Sequence, residues 1–386
     1  MTVGDGLRQQ GDGAGAVAVY RESLAAYSAL AADHPADDGW RIRMAERDLD
    51  IGDIEAEQGD LSDALQVYRD GHVIRREVAA TAPKDPDRQR SLAISARRIG
   101  SILLRQGDLS AALEAFRESY AVRRAILAQD PGNSDRQVDL ALIESDIGGV
   151  LEWQGELAGA LASYGDALAI RRGLPADNEA DRRKDLRASL RAVANMLYAT
   201  GKPRDALPLF DEAVSLGPDD AALFAERGRA RLYAGLALLA VDDLAAATKL
   251  DPANAYDRIW LHISRSRAQR DDRDELVEGA AKLDRNAWPW PVVAMFLGDQ
   301  AREATKAAAA AAEVEKERRE HSREANFYTG VEALDTGDTD AARASLEAAA
   351  ANCPHDFDEY RAVPFELLRL LAVGTGPEAL ALRPPH

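Results

Sequence analysis

Cys353-Pro354-His355-Asp356 brings a thiol, an imidazole and a carboxylate into four consecutive positions, the residue types of an activated cysteine nucleophile or of a metal ligand set. Pro354, however, occupies the closing position of a repeated segment described below, which makes Cys353 a small packing residue. The six histidines, at positions 34, 72, 262, 321, 355 and 386, show no ligand spacing. The sequence has no Gly-x-x-x-x-Gly-Lys phosphate loop, no Gly-x-Ser-x-Gly elbow and no His-Glu-x-x-His pair. Carboxylate pairs are frequent, as on any strongly charged solvated helix surface, and mark no acid-base site. The residues therefore predict no catalytic group, no metal site and no cofactor, and the remaining chemistry is that of a surface.

That surface is acidic. With a net charge of −18 and 30% charged residues, general binding to nucleic acid or to an anionic membrane is not expected. A single cysteine excludes an internal disulfide framework. No run approaches the roughly 18 apolar residues that span a bilayer, and the N-terminus lacks a basic stretch followed by an apolar one. A cytoplasmic protein is expected, and the preference for Arg over Lys together with abundant Ala points to a GC-rich, bacterial genome. The chain of 386 residues exceeds one ordinary core, which leaves several domains or an elongated repeat. Few aromatics (6%) and a dominance of Ala, Leu, Glu, Asp and Arg favour helix over sheet.

The elements that present this surface are visible as a period. Gln10-Gly11-Asp12 returns as Gln58-Gly59-Asp60, Gln106-Gly107-Asp108 and Gln154-Gly155-Glu156, 48 residues apart each time. Val3-Gly4, Ile51-Gly52, Ile99-Gly100 and Ile147-Gly148 keep the same register upstream. Downstream come Tyr20, Tyr68, Phe116 and Tyr164, then the basic pairs 75–76, 123–124 and 171–172, with Pro35, Pro83 and Pro131 closing three units. Each unit reads as two helices about a tight turn. In the third, apolar spacing runs from Leu92 to Gln106, Gly107 stops the helix, Asp108 caps the next, and that helix runs to about Gln129. The basic pairs are placed near helix C-termini, where cations suit the dipole.

After the fourth unit the period shortens. Ala194, Ala206, Phe210, Ala213 and Pro218 are followed 34 residues later by Gly228, Ala240, Leu244, Ala247 and Pro252, and again near the end by Gly330, Ala342, Leu346, Ala349 and Pro354. A small residue, Ala at +12, an aromatic or Leu at +16, Ala at +19 and Pro at +24, repeated every 34 residues, resembles the tetratricopeptide repeat. The first four units look like a lengthened variant similar to kinesin light chain repeats, with about seven residues inserted before the proline. The resemblance implies an all-α fold, a right-handed superhelical solenoid of antiparallel helix-turn-helix hairpins, some seven to eight in number. The expected organisation is four long units over 1–186, two 34-residue units over 187–256, degenerate hairpins over 257–322, and a final unit with a capping helix over 323–386. Pro289 and Pro291 force a helix break, and the segment from 301 to 335 is expected to hold two helices. Trp288 and Trp290 are expected to fill a space between hairpins. Val3-Gly4-Asp5 aligns with Ile51-Gly52-Asp53, so the first helix starts near its midpoint, which suggests either more repeat upstream of Met1 or a degenerate first repeat that frays.

In that family the first helix of each hairpin lines a concave groove, through residues three before and one, four and five after the small position. Carried onto this sequence, the resemblance selects Arg97, Ser101, Leu104 and Arg105; Arg191, Asn195 and Tyr198; Arg229, Leu232 and Tyr233; and also Asp53, Glu57, Glu152 and Trp153. Arginines and tyrosines in such a groove suit an extended acidic or carboxylate-bearing peptide. The clamp that grips chaperone C-termini is matched by Arg191 and Asn195 but broken by Glu226, Tyr256 and Trp260, so chaperone tails are not expected. The function implied is a scaffold or adaptor for a partner protein. The alternative is the regulatory arm of a larger bacterial signalling or effector protein whose catalytic domain lies elsewhere.

Overall fold

At each repeated Gly-acid signature the chain turns back on itself. Gly59 and Gly107 adopt φ of +93° and +83°, a left-handed conformation that residues with a Cβ seldom take. After the second of these turns the Asp108 carboxylate accepts from the Ala111 amide at 3.0 Å and caps the helix that follows. The computed structural model describes residues 2–174, 179–270, 273–352 and 358–375, which leaves Cys353-Pro354-His355-Asp356 outside the described residues. Among the described residues all regular structure is helical.

Two compact units are present, Met1–Asp177 and Asn178–His386. The first contains α1 (Val3–Gln9), α2 (Gly13–Asp33), α3 (Asp38–Gln58), α4 (Leu61–Thr81), α5 (Pro86–Arg105), α6 (Leu109–Gln129), α7 (Ser134–Trp153) and α8 (Leu157–Gly173). The second opens with α9 (Glu179–Ala199), α10 (Pro203–Leu216), α11 (Ala221–Tyr233), α12 (Ala237–Leu250), α13 (Ala255–Arg267) and α14 (Arg273–Ala280). It continues with α15 (Trp290–Leu297), α16 (Arg302–Ala310), α17 (Glu315–Asp335), α18 (Thr339–Asn352) and α19 (Asp358–Thr375). Within each unit an odd-numbered helix pairs with the next to form a hairpin, and each hairpin packs on its neighbour. This is a helical repeat solenoid in each unit.

Nine hairpins are described, more than the seven to eight expected, because 257–322 holds two short ones, α13/α14 and α15/α16. The prolines mark the second: Pro291 sits in the first turn of α15, where its missing amide costs nothing. Residues 301–335 form two helices separated at 311–314. The extra residues of the long repeats are divided between both helices. Helix α5 has 20 residues against 13 in α11, and α6 has 21 against 14 in α12. Seven residues are about two turns, so the lengthened helices keep the same faces toward their neighbours.

In the hairpins with a glycine at the small position, the close approach is between that glycine and the residue at +16. A Cβ at Gly100 would lie 2.6 Å from the Phe116 ring, and one at Gly148 would lie 2.8 Å from that of Tyr164. The aromatic thus lies across the glycine instead of filling a space where the helices diverge. Ala64, Ala112 and Ala160 sit fully buried one turn earlier. Where the aromatic is a tyrosine, its hydroxyl donates to a carboxylate on the first helix: Tyr20 to Asp5 at 2.6 Å, Tyr68 to Asp53, and Tyr164 to Glu152 at 3.0 Å. Burial and the Asp5 carboxylate push the Tyr20 phenol up to about 12, while the same bond holds Asp5 down at about 2.

The helix dipole suits the third basic pair, Arg171-Arg172 in the last turn of α8, but not the first two. Arg75 and Arg123 lie well inside α4 and α6 and are almost fully buried. Arg75 donates to the Ser91 hydroxyl at 3.0 Å and to the Ala45 carbonyl, so it joins α4 to both neighbouring first helices. Arg123 donates to the Asp139 carbonyl at 3.1 Å and pairs with the Asp139 carboxylate at 2.9 Å. Arg171 donates to Ser145 at 2.9 Å. The first arginine of each pair is a cross-link between helices.

Candidate partner-binding faces

In the first unit, neighbouring first helices are joined by ion pairs 49 residues apart. Arg8 of α1 meets Glu57 of α3 at 2.5 Å, Arg90 of α5 meets Asp139 of α7 at 2.6 Å, and Arg97 pairs with Asp146 of α7. Ser101, one turn on, donates to the Arg97 carbonyl at 3.0 Å. Arg98 pairs with Asp53 at 3.2 Å, the same carboxylate that accepts from Tyr68. Arg105 differs from these. Its guanidinium donates to the Ala56 carbonyl at 3.0 Å, its residue is exposed, and among the described residues no carboxylate pairs with it. A cavity of about 440 Å³ opens here, lined by Arg8, Asp53, Glu57, Arg98, Ser101 and Arg105 together with Tyr68. Glu152 is tied to Tyr164, whereas Trp153, at the end of α7, is 56% exposed.

In the second unit most of the selected side chains are engaged by other residues of the unit. Arg191 of α9 grips Glu226 of α11 with two nitrogens, at 2.5 to 3.0 Å. The acid that breaks the chaperone clamp in sequence is thus the partner of the arginine that began it. Asn195 is half-buried. Arg229 is buried, with its guanidinium 5.9 Å from the Trp260 ring. Tyr198 and Tyr233 stack on each other at 6.1 Å, and both stack on Phe365 of α19. Leu232 is buried and Leu104 half-buried.

The residues selected from the sequence therefore fall into three settings. Ser101 and Arg105 share one cavity with Asp53 and Glu57. Arg97 and Arg191 tie repeat to repeat. Tyr198, Arg229 and Tyr233 belong to the interior of the second unit. Arg98 in the first unit, and Arg267, Phe365 and Glu366 in the second, lie outside the positions selected; Arg8, four residues after Gly4, satisfies the spacing rule but belongs to the first repeat, onto which it was not carried. Glu366 was findable: positions 359, 362, 363, 366 and 370 form the buried stripe of α19, and carboxylates at 359 and 366 of such a stripe need partners. Trp288 donates its indole N–H to Glu324 of α17 at 2.7 Å and stacks on His321, with centroids 4.5 Å apart. Tyr256 donates to the same carboxylate at 2.7 Å, and burial pushes Glu324 up against the pull of these two donors. Among the described residues there is no group of three or more His, Cys, Asp or Glu suited to a metal ion, and no helix long and apolar enough to cross a membrane.

Stacked helical hairpins with side-chain-lined first helices define an all-α repeat protein. Family models described as Tetratricopeptide repeat match residues 92–131, and again residues 193–255 and 297–357. The chain thus carries tetratricopeptide repeats over the matched segments, and its 48- and 34-residue periods run through them. It is similar to the solved structure of BtubC (BKLC) from P. vanneervenii at 16% identity, over 61% of this chain and 89% of that one, with a TM-score of 0.47. It is also similar to YrrB, a TPR protein with an unusual peptide-binding site, at 18% identity over 58% and 93%, with a TM-score of 0.39. A putative kinesin light chain repeat protein of Podosopora anserina matches at 15% identity over 54% and 95%, with a TM-score of 0.43. The family makes this chain a protein-interaction scaffold in general terms.

Proposed function

We propose that the chain holds an extended, carboxylate-bearing segment of a partner protein on the first-helix face of its first unit, as an adaptor without chemistry of its own. The observation that carries this reading is Arg105. It is a permanently charged, bidentate-capable donor at the edge of a cavity, next to the Ser101 hydroxyl, while the neighbouring arginines Arg8, Arg97 and Arg98 are already neutralised by carboxylates. A partner carboxylate there would complete the pattern set by the 49-residue ion pairs. Nucleic acid and anionic membranes are disfavoured by the net charge of −18.

Selection from a random-peptide display library on the purified chain tests this. Enriched peptides are expected to carry Asp, Glu or a free C-terminus at a fixed position and to lose binding by about tenfold or more with Arg105→Glu. Enrichment of peptides without a carboxylate, or retention unchanged on Arg105→Glu, contradicts the reading.

A further inference from the structure

Helix α19 does more than cover the last hairpin. Phe365 stacks on Tyr198 of α9, with ring centroids 5.6 Å apart, and on Tyr233 of α11 at 4.8 Å. Glu366, with no exposed surface, accepts from the Tyr233 hydroxyl at 2.5 Å and from Arg267, the last residue of α13, at 2.5 Å. Glu359 accepts from the Tyr328 hydroxyl of α17 at 2.5 Å, and Arg369 pairs with Asp335, the last residue of the same helix. One helix therefore touches four first helices of its unit, and its central contact is an aromatic ring followed directly by a carboxylate.

The site is built for those two groups. A buried carboxylate needs both charge compensation and hydrogen bonds, and here they come from Tyr233 and Arg267 at the ends of α11 and α13, with Arg369 of α19 itself adding a longer contact at 3.4 Å. Yet the resident helix leaves the site partly unused. Among the described residues the Arg267 Nε is buried without a hydrogen-bond partner, so Glu366 engages one arm of a fork that can take a carboxylate with two. Beside Phe365 and Tyr233 a cavity of about 420 Å³ runs to the α9–α10 turn, where Lys202 and Arg204 line it. The bare donor and the open cavity are contacts that a helix of different sequence would gain over the resident one.

We propose that this face of the second unit is a receptor for an amphipathic helix of a partner protein, one that carries an aromatic residue followed directly by Asp or Glu, and that α19 is its resident, displaceable occupant. The inference shares the scaffold reading but not its site: Arg105 takes no part in it.

The test uses the full chain. A fluorescent peptide with the sequence of residues 358–375 is titrated against the wild-type chain and against the double variant Phe365→Ala, Glu366→Ala, whose own helix no longer competes. The apparent affinity of a site falls in proportion to the fraction that is free, so the variant is expected to bind the peptide at least about tenfold more tightly than the wild type. A peptide with the same two changes should not bind, and Arg105→Glu should leave the titration unaltered. A folded variant that binds the peptide no better than wild type overturns the proposal. Should the double variant not fold, hydrogen exchange on the wild-type chain decides: α19 is expected to exchange at least about tenfold faster than α13. Equal protection of the two helices would show an integral cap and overturn the proposal.

Discussion

At the scale of single residues, the glycine at the small position and the aromatic at +16 act as one device. Gly100→Ala would drive a methyl into the Phe116 ring, and overpacking of this kind costs about 1–3 kcal/mol. Chemical denaturation should show a loss of that size. The sequence revealed this pair through its 48-residue recurrence but not its geometry, because recurrence reports which positions are constrained and not which atoms meet. Asp48 shows the same limit. Burial pushes its carboxyl up to about 7, against the pull of Arg75, and nothing in its sequence neighbourhood separates it from the solvated acids around it. With the folded value above the unfolded one, its contribution is fully favourable below about pH 4 and is lost as the pH rises through about 7. Between pH 5 and pH 8, Asp48→Asn should therefore gain stability relative to wild type, by roughly 2 kcal/mol. An unchanged difference between the two proteins across that range would contradict the burial argument.

Among helices, the informative residues are those that join one element to the next. The dipole explanation of the basic pairs treats both arginines of a pair alike, whereas the structure separates them. Arg123 is buried between α6 and α7, and Arg124 is exposed. Arg123→Ala should cost about 3 kcal/mol, the scale of a broken buried pair, while Arg124→Ala should stay within about 0.5 kcal/mol. Equal losses for the two would restore the dipole account. Helix boundaries were largely legible: the Gly-acid turns and Gln129 follow from local chemistry that the tertiary structure does not override, whereas the break between 301 and 335, with neither Gly nor Pro before Gly330, follows only from the register of the last repeat. The hairpins between 257 and 322 were less so, since α14, α15 and α16 are only eight or nine residues long and too short for a hydrophobic period to establish itself. The placement of α19 against α9 joins residues more than 150 positions apart, for which a repeat rule within one hairpin contains no information.

For the molecule as a whole, two units use the same hairpin differently. In the second, the first-helix face is covered by the chain's own α19. In the first, it presents a cavity with an arginine that no described carboxylate neutralises. The fold class was legible because a solenoid is its period. The candidate site was legible only in part, because a family spacing rule names positions on a helix face, whereas the neighbouring repeat decides whether a side chain there is spent on an ion pair. Arg97 and Arg105 satisfy the same rule, and only one of them lacks an acid opposite. The net charge of −18 adds a further expectation: no retardation of duplex DNA in a gel at roughly 150 mM salt, where non-specific binding requires cationic surface. Retardation at that salt would contradict the exclusion of nucleic acid.

The claim that partners are held on the first-helix face of the first unit is tested most directly by site-specific photo-crosslinking in the cells from which the chain comes. A photoreactive residue is placed at Ser101, beside Arg105, or at Ser110 on the exposed surface of α6. A discrete crosslinked species from position 101, absent from position 110 and lost when Arg105→Glu is added, is the result predicted. A species formed from position 110 but not from 101, or one from 101 that survives Arg105→Glu, would contradict it.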